Sequence, residues 1–226
     1  MKGNRGITLL ELLVAMVLFS LLSVAVLMSL GTGISSLDRL RAHVAESRRE
    51  VGAERTLELL LAGMMRVDAS YVQPGAATPQ TVSFFQGDPQ TMRFVTVHSL
   101  EQGSRGVPRL VELTVIPGEG GKGVRLVMNE RPYPGPYAAG MLIMGGFPGP
   151  AGGPLVLQFA PVTTGTGTFI LADQLESCNF FYQQRQRLQV AWNAKWPLTT
   201  LPRAIRIDMK PRPSVTANIR VQPNEF

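Results

Sequence analysis

The hydrophobic positions change their period along the chain, and each change marks an element boundary. From Leu12 to Leu37 no side chain is ionisable and most are apolar. A helix rises ~1.5 Å per residue and a bilayer core of roughly 30 Å takes about 20 apolar residues, so Leu12 to Ile34 is long enough to span. Gly31-Thr32-Gly33 interrupts the run. Each Gly costs ~1 kcal/mol relative to Ala in a helix, which predicts a bend or softened turn rather than a break. Helical periodicity resumes at once: Leu37, Leu40, Val44, Val51, Leu57, Leu61 and Met64 recur at steps of three and four or their multiples. Tyr71-Val72-Gln73-Pro74-Gly75 predicts a stop near Val67 to Ser70. The chain thus divides into a spanning helix over 7–35, an amphipathic helix over 36–70 and a remainder over 71–226.

In that remainder the pattern becomes short strands separated by turn residues. Strands are predicted at 82–85, 92–97, 110–115, 124–128, 155–159, 178–183, 204–209 and 217–221. Asp88-Pro89 and Gly118-Glu119-Gly120-Gly121 read as turns. One long helix followed by mostly antiparallel strands is an α+β pattern. Residues 132–154 hold six Pro and seven Gly, a composition that predicts no regular element, yet they carry Met141, Leu142, Ile143, Met144 and Phe147. This insert reads either as a long loop packing its own apolar residues or as an adaptable subunit-contact loop.

Charge and composition narrow the function classes. The formal charge of +6 falls to +4 without Lys2 and Arg5, and no basic block of five or six residues occurs, so nucleic acid is not an expected partner. A single cysteine, Cys178, rules out an intrachain disulfide framework; beside Leu175, Phe180, Phe181 and Tyr182 it reads as a thiol packed in a strand, the alternative being an intermolecular disulfide. His43 and His98 stand far apart with no nucleophile or carboxylate motif around either, and no phosphate-binding loop, zinc spacing or calcium loop occurs. No catalytic residue, cofactor or metal is expected.

Two acidic features stand out. Glu11 lies at the start of the apolar run, where a lone carboxylate costs roughly 2.5–3.5 kcal/mol near a helix centre and less at its edge. Glu46, Glu50, Glu54 and Glu58 form a row at four-residue spacing, with Arg49 and Arg55 three residues from Glu46 and Glu58. The row reads as a solvated face with internal pairing or as a stripe meeting a basic surface on a neighbour. The apolar run exceeds the length of a secretory signal core. Lys2 and Arg5 favour a cytoplasmic N-terminus, against the weaker opposing pull of Asp38, Arg39 and Arg41.

Gly3-Asn4-Arg5-Gly6 followed by Ile7-Thr8-Leu9-Leu10-Glu11-Leu12 resembles the processing site of type IV prepilins and pseudopilins. The resemblance implies a leader of residues 1–6, cleavage between Gly6 and Ile7 by a membrane aspartyl prepilin peptidase, and N-methylation of Ile7. Ile7 departs from the phenylalanine most common there. Glu11 falls at the fifth mature position, one turn from the new amine. At about 4 Å and an effective dielectric of about 20, such a carboxylate and a neighbour's amine attract by about 4 kcal/mol before desolvation. The implied fold is pilin-like, a long N-terminal helix packed on antiparallel sheets.

A second resemblance is carried by Leu171-Ala172-Asp173-Gln174-Leu175-Glu176-Ser177, Phe180-Phe181-Tyr182, Trp192-Asn193-Ala194-Lys195-Trp196-Pro197 and Leu201-Pro202-Arg203-Ala204-Ile205-Arg206-Ile207. Phe85-Gln86-Gly87 and Leu126-Val127-Met128-Asn129-Glu130-Arg131 add to it. These resemble the J-type minor pseudopilin of the type II secretion system. That family implies a non-catalytic tip-complex subunit with I- and K-type partners, priming assembly of the major pseudopilin. It also implies single-pass insertion in the inner membrane, a cytoplasmic N-terminus, a periplasmic C-terminal domain and later entry into the pseudopilus. Glu11 fits J or I better than K, which usually lacks it. Minor pilins of type IV or DNA-uptake pili share parts of the pattern and are the alternative.

Overall fold

A computed structural model describes residues 9–101, 103, 105–149, 155–186, 189–197 and 200–219, with the backbone alone at 30–50, 105, 185, 186 and 189. Helix α1 runs from Leu9 to Ala62 and is helical through Gly31-Thr32-Gly33. The strands that follow are β1 (Met64–Met65), β2 (Asp68–Tyr71), β3 (Gln80–Ser83), β4 (Gln86–Gly87), β5 (Thr91–His98), β6 (Arg105–Pro117) and β7 (Val124–Pro132). A short helix α2 (Pro136–Gly140) precedes β8 (Ile143–Phe147), β9 (Val156–Phe159) and β10 (Phe169–Leu175). The chain closes with β11 (Ser177–Gln186), β12 (Gln189–Asn193), β13 (Ala204–Lys210) and β14 (Val215–Asn218). Two compact units result, Met1–Val51 and Gly52–Phe226. A long apolar helix followed by antiparallel sheets is the α+β, pilin-like architecture.

The helix stops at Ala62, short of the expected 67–70. Met64, which fits the helical stripe, instead pairs with Thr96, and Met65 with Val95. Gly63 makes the exchange: its N–H donates to the Leu59 carbonyl at 3.0 Å while its own carbonyl accepts from Val97 N–H at 3.0 Å. Sheet pairing overrides a local pattern that continues equally well as helix.

In the second unit the first sheet has the order β1-β5-β6-β7-β10, with β4 beside β5, and the second has the order β12-β11-β13-β14. All pairings are antiparallel. Alternation sends Met92 and Phe94 of β5, Val111 and Leu113 of β6, and Leu126 and Met128 of β7 into one core with Leu57, Leu60 and Leu61 of α1. Phe180, Tyr182, Ile205, Ile207 and Met209 of the second sheet complete it.

A second core lies on the opposite face of the first sheet. There Val95 and Leu110 meet Ala69, Tyr71, Phe84, Ala139 and Ile143, with Leu157 and Phe159 packed against them. Strand β5 is therefore buried without a break from Met92 to Thr96, as a strand covered on both faces must be. Arg93 and Glu112 are enclosed on this side. Arg93 Nε donates to Glu112 at 2.6 Å, its Nη2 donates to the Ala160 carbonyl at 2.6 Å, and Arg131 reaches the other Glu112 oxygen at 2.9 Å.

The Pro/Gly-rich insert contributes Ala139 and Ile143 to that second core and forms α2 and β8, which corrects the expectation that it holds no regular element. Pro136 sits where the first helical turn lacks a hydrogen-bond partner, so it starts α2. Strand β8 pairs with β9 from Ile143↔Phe159 to Phe147↔Val156. The glycines serve contact as well as turning: a Cβ on Gly140 would lie 1.8 Å from the Ser70 carbonyl oxygen. Composition suggested irregularity; here it permits close packing of backbone on backbone.

Candidate functional site

The processing pair Gly6 and Ile7 lies outside the described residues. The described part of the N-terminal segment begins at Leu9, and Leu9–Ser29 is long and apolar enough to cross a membrane. Its 21 residues span about 32 Å as helix, close to the ~30 Å hydrocarbon thickness. None of this span is buried within the protein. Leu10, Leu13, Val17, Leu21 and Leu27, with their neighbours, are all exposed. At ~1.5–3 kcal/mol for each large apolar side chain, leaving the span in water costs tens of kcal/mol, so lipid or other helices must cover it. The hydroxyls within it do not oppose that: Ser20 Oγ donates to the Val17 carbonyl and Ser23 Oγ to the Phe19 carbonyl, both at 2.8 Å. Glu11 stands in the first turn of α1, on the same exposed surface.

Of the acidic row, the side chains of Glu46 and Glu50 lie outside the described residues. Glu54 is half-buried, while Glu58 is exposed and pairs with Arg55 at 3.2 Å, the i,i+3 partner its spacing predicts. Such a pair at the surface contributes little stability. In the insert, Met141 is 84 % exposed and Met144 and Phe147 are also exposed, whereas Leu142 is half-buried and Ile143 is 8 % exposed. The insert thus packs Ile143 inward and presents Met141, Met144 and Phe147 at the surface. The packing reading holds for Ile143, and the exposed residues are the ones open to the subunit-contact reading.

Of the residues carrying the second resemblance, Phe85, Gly87, Phe180, Tyr182 and Trp196 meet at the joint between the two sheets. Trp196 N–H donates to the Gly87 carbonyl at 2.7 Å, Tyr182 Oη donates to the Asp88 carbonyl at 2.8 Å, and Phe180 N–H donates to the Pro89 carbonyl at 2.8 Å. The Phe85 ring meets Tyr182 edge-on with centroids 5.9 Å apart, and Tyr182 tilts against Trp196 at 6.4 Å. Gly87 lies against all three side chains: a Cβ there would fall 2.7 Å from Trp196 Cβ, 2.9 Å from the Tyr182 ring and 3.0 Å from the Phe85 ring. Burial raises the Tyr182 hydroxyl well above its ordinary range, with the Asp88 charge adding to it. These side chains hold the domain together.

Cys178 is buried in β11 opposite Met209, and burial, with a smaller push from Asp208, raises its thiol to about 12. Glu130 closes a different cluster. Burial works to raise its carboxyl, but the Ser99 hydroxyl, the Arg109 guanidinium and the N–H groups of Leu100 and Glu101 together hold it below the ordinary value. Sequence reading missed this cluster, because Ser99 and Glu130 meet only once β5, β6 and β7 are paired. Among the described residues no three His, Cys, Asp or Glu side chains form a metal set.

The prokaryotic N-terminal methylation motif matches residues 1–27. Neither the curated proteins nor the solved structures returned a match. The matched motif implies processing by a prepilin peptidase and assembly into pilus-like filaments, and it suggests a structural rather than a catalytic role. With the apolar helix and the antiparallel sheets that follow, it supports a type IV pilin-like or pseudopilin protein.

Proposed function

We propose that this chain is a J-type minor pseudopilin of the type II secretion system, a tip-complex subunit that acts with I- and K-type partners to prime assembly of the major pseudopilin. The observation that carries the reading is where its resemblance falls. Among the positions that carry it, Phe85, Gly87, Tyr182 and Trp196 meet at one joint on which the domain depends. On this reading the chain enters the inner membrane with its N-terminus in the cytoplasm and its C-terminal domain in the periplasm. Cleavage between Gly6 and Ile7 and methylation of Ile7 precede extraction into the pseudopilus. Glu11 then pairs with the terminal amine of a neighbouring subunit and sets the axial register. Glu46, Glu50, Glu54 and Glu58 on the helix, and the exposed insert residues Met141, Met144 and Phe147, contact other subunits.

Crosslinking the full-length chain in its host, followed by purification and identification of adducts, tests the assignment. Recovery of I- and K-type pseudopilins is expected; recovery of pilus-fibre subunits instead transfers the chain to the type IV pilus alternative. The register role has its own test. Desolvation offsets part of the ~4 kcal/mol attraction, so Glu11→Ala is expected to lower incorporation into filaments about tenfold, with the protein still processed and membrane-inserted. Incorporation equal to that of the wild type removes Glu11 from assembly.

A further inference from the structure

The outward face of the second sheet departs from the usual rule that a solvent-facing antiparallel sheet is polar. Cys178, Phe180, Tyr182, Ile205 and Ile207 point into the core, so Phe181 and Arg206, paired across β11 and β13, point away from it. Trp192 lies opposite Gln183, on the same outward face. The Arg206 guanidinium carbon sits 4.8 Å from the Phe181 ring centroid and 5.0 Å from that of Trp192, so both rings contact it. Its Nε lies 3.0 Å from Asp208 Oδ1, though the two atoms are misaligned as a hydrogen bond. Among the described residues the guanidinium has no other polar partner, and its side chain is about one-third exposed. Lys210 lies further along the same face and is exposed, so the described charges of β13 leave this surface net positive.

A guanidinium held against two rings, its terminal nitrogens without a partner among the described residues, is prepared for a planar, two-oxygen acceptor. Its side-chain freedom is already spent, and a carboxylate matches its fork. The surrounding Trp192 and Phe181 edges supply apolar contact, and Trp and Arg are the residues enriched at the centres of protein interfaces. We infer that this face is a docking surface for an acidic protein segment, whose carboxylate engages the Arg206 fork while its flanking aliphatic side chains rest on Trp192 and Phe181. The site is independent of which pilin-like subtype the chain represents.

The test uses the full-length chain in detergent and a labelled, end-blocked peptide of alternating Glu and Leu, with a twin carrying Gln for Glu, read by fluorescence anisotropy. Saturable binding of the acidic peptide is expected, with the twin at least tenfold weaker. Arg206→Gln is expected to lose at least tenfold toward the acidic peptide. Arg206→Lys, which keeps the charge without the fork, is expected to fall between. Because a changed stack can disturb the sheet, Thr216→Glu serves as the second variant. Thr216 is exposed and faces Arg206 across β13 and β14, so an acid placed there competes for the fork while leaving both rings in place. It is expected to weaken binding similarly. Equal binding of the two peptides, no saturable binding, or wild-type binding by Thr216→Glu overturns the proposal. A photo-crosslinker at Gln183 in host cells must label an acidic protein segment; labelling of lipid alone also overturns it.

Discussion

At the scale of single residues, two positions hold the domain by opposite means. Gly87 holds it by having no side chain. A methyl group there would push into Trp196, held by its backbone N–H, and Tyr182, held by its hydroxyl on the Asp88 carbonyl. Gly87→Ala is therefore expected to destabilise the domain by about 1–3 kcal/mol, seen as a lower denaturant midpoint with an unchanged slope. Arg93 holds it by charge, in a place where charge is costly. Removing its side chain alone strands Glu112 with only Arg131, so Arg93→Ala is expected to cost about 3–5 kcal/mol. Replacing both, Arg93→Met with Glu112→Leu, should recover most of that loss. A double variant as unstable as the single one would show that the pair, and not the stranded charge, accounts for the cost.

At the scale of elements, the sequence is most informative where one physical pattern runs long enough to have no rival. The apolar span and the existence of strands β5, β6, β7, β11 and β13 follow from the pattern, but their pairing does not, and β5 is buried on both faces rather than alternating. Boundaries fare worse wherever tertiary pairing competes. Met64 fits the helical stripe and is a strand residue, and the last strand lies at Val215–Asn218, earlier than Ala217 to Val221. The insert's pattern is ambiguous, since its prolines and glycines suggest a loop whether they bend the chain or let it pack closely. Ile143 and Met144 now separate these roles. Ile143→Asp places a carboxylate in the second core and is expected to cost several kcal/mol, whereas Met144→Asp is expected to stay within ~0.5 kcal/mol by thermal melting. The N-terminal methylation motif was legible in the sequence, while the sheet joint and the Glu130 cluster were not, because they join residues distant in sequence.

At the scale of the whole molecule, acid sensitivity follows from the carboxylates held in their charged form. The Glu130 carboxyl lies below its ordinary value of 4.5 when folded, so its contribution is complete above that pH. The contribution is lost as pH falls from there through the folded-state value. Asp173 acts in the same direction, held down chiefly by the Arg125 guanidinium. Stability measured from pH 7 downward is expected to stay level and then drop below about 4.5, and Glu130→Gln should flatten that drop while lowering the plateau. A profile that falls between pH 7 and 5 would point to some other titrating group.

The uncovered helix from Leu9 to Ser29 also constrains how this protein can travel. A free aqueous monomer is not a workable intermediate between its birthplace and its destination, because release into water carries a barrier of tens of kcal/mol. Every transfer must therefore be a hand-over, with the receiving apolar surface engaged before the releasing one lets go. Relocation of this chain then depends on contact with its acceptor, and its rate follows the supply of docking sites as well as the amount of protein waiting.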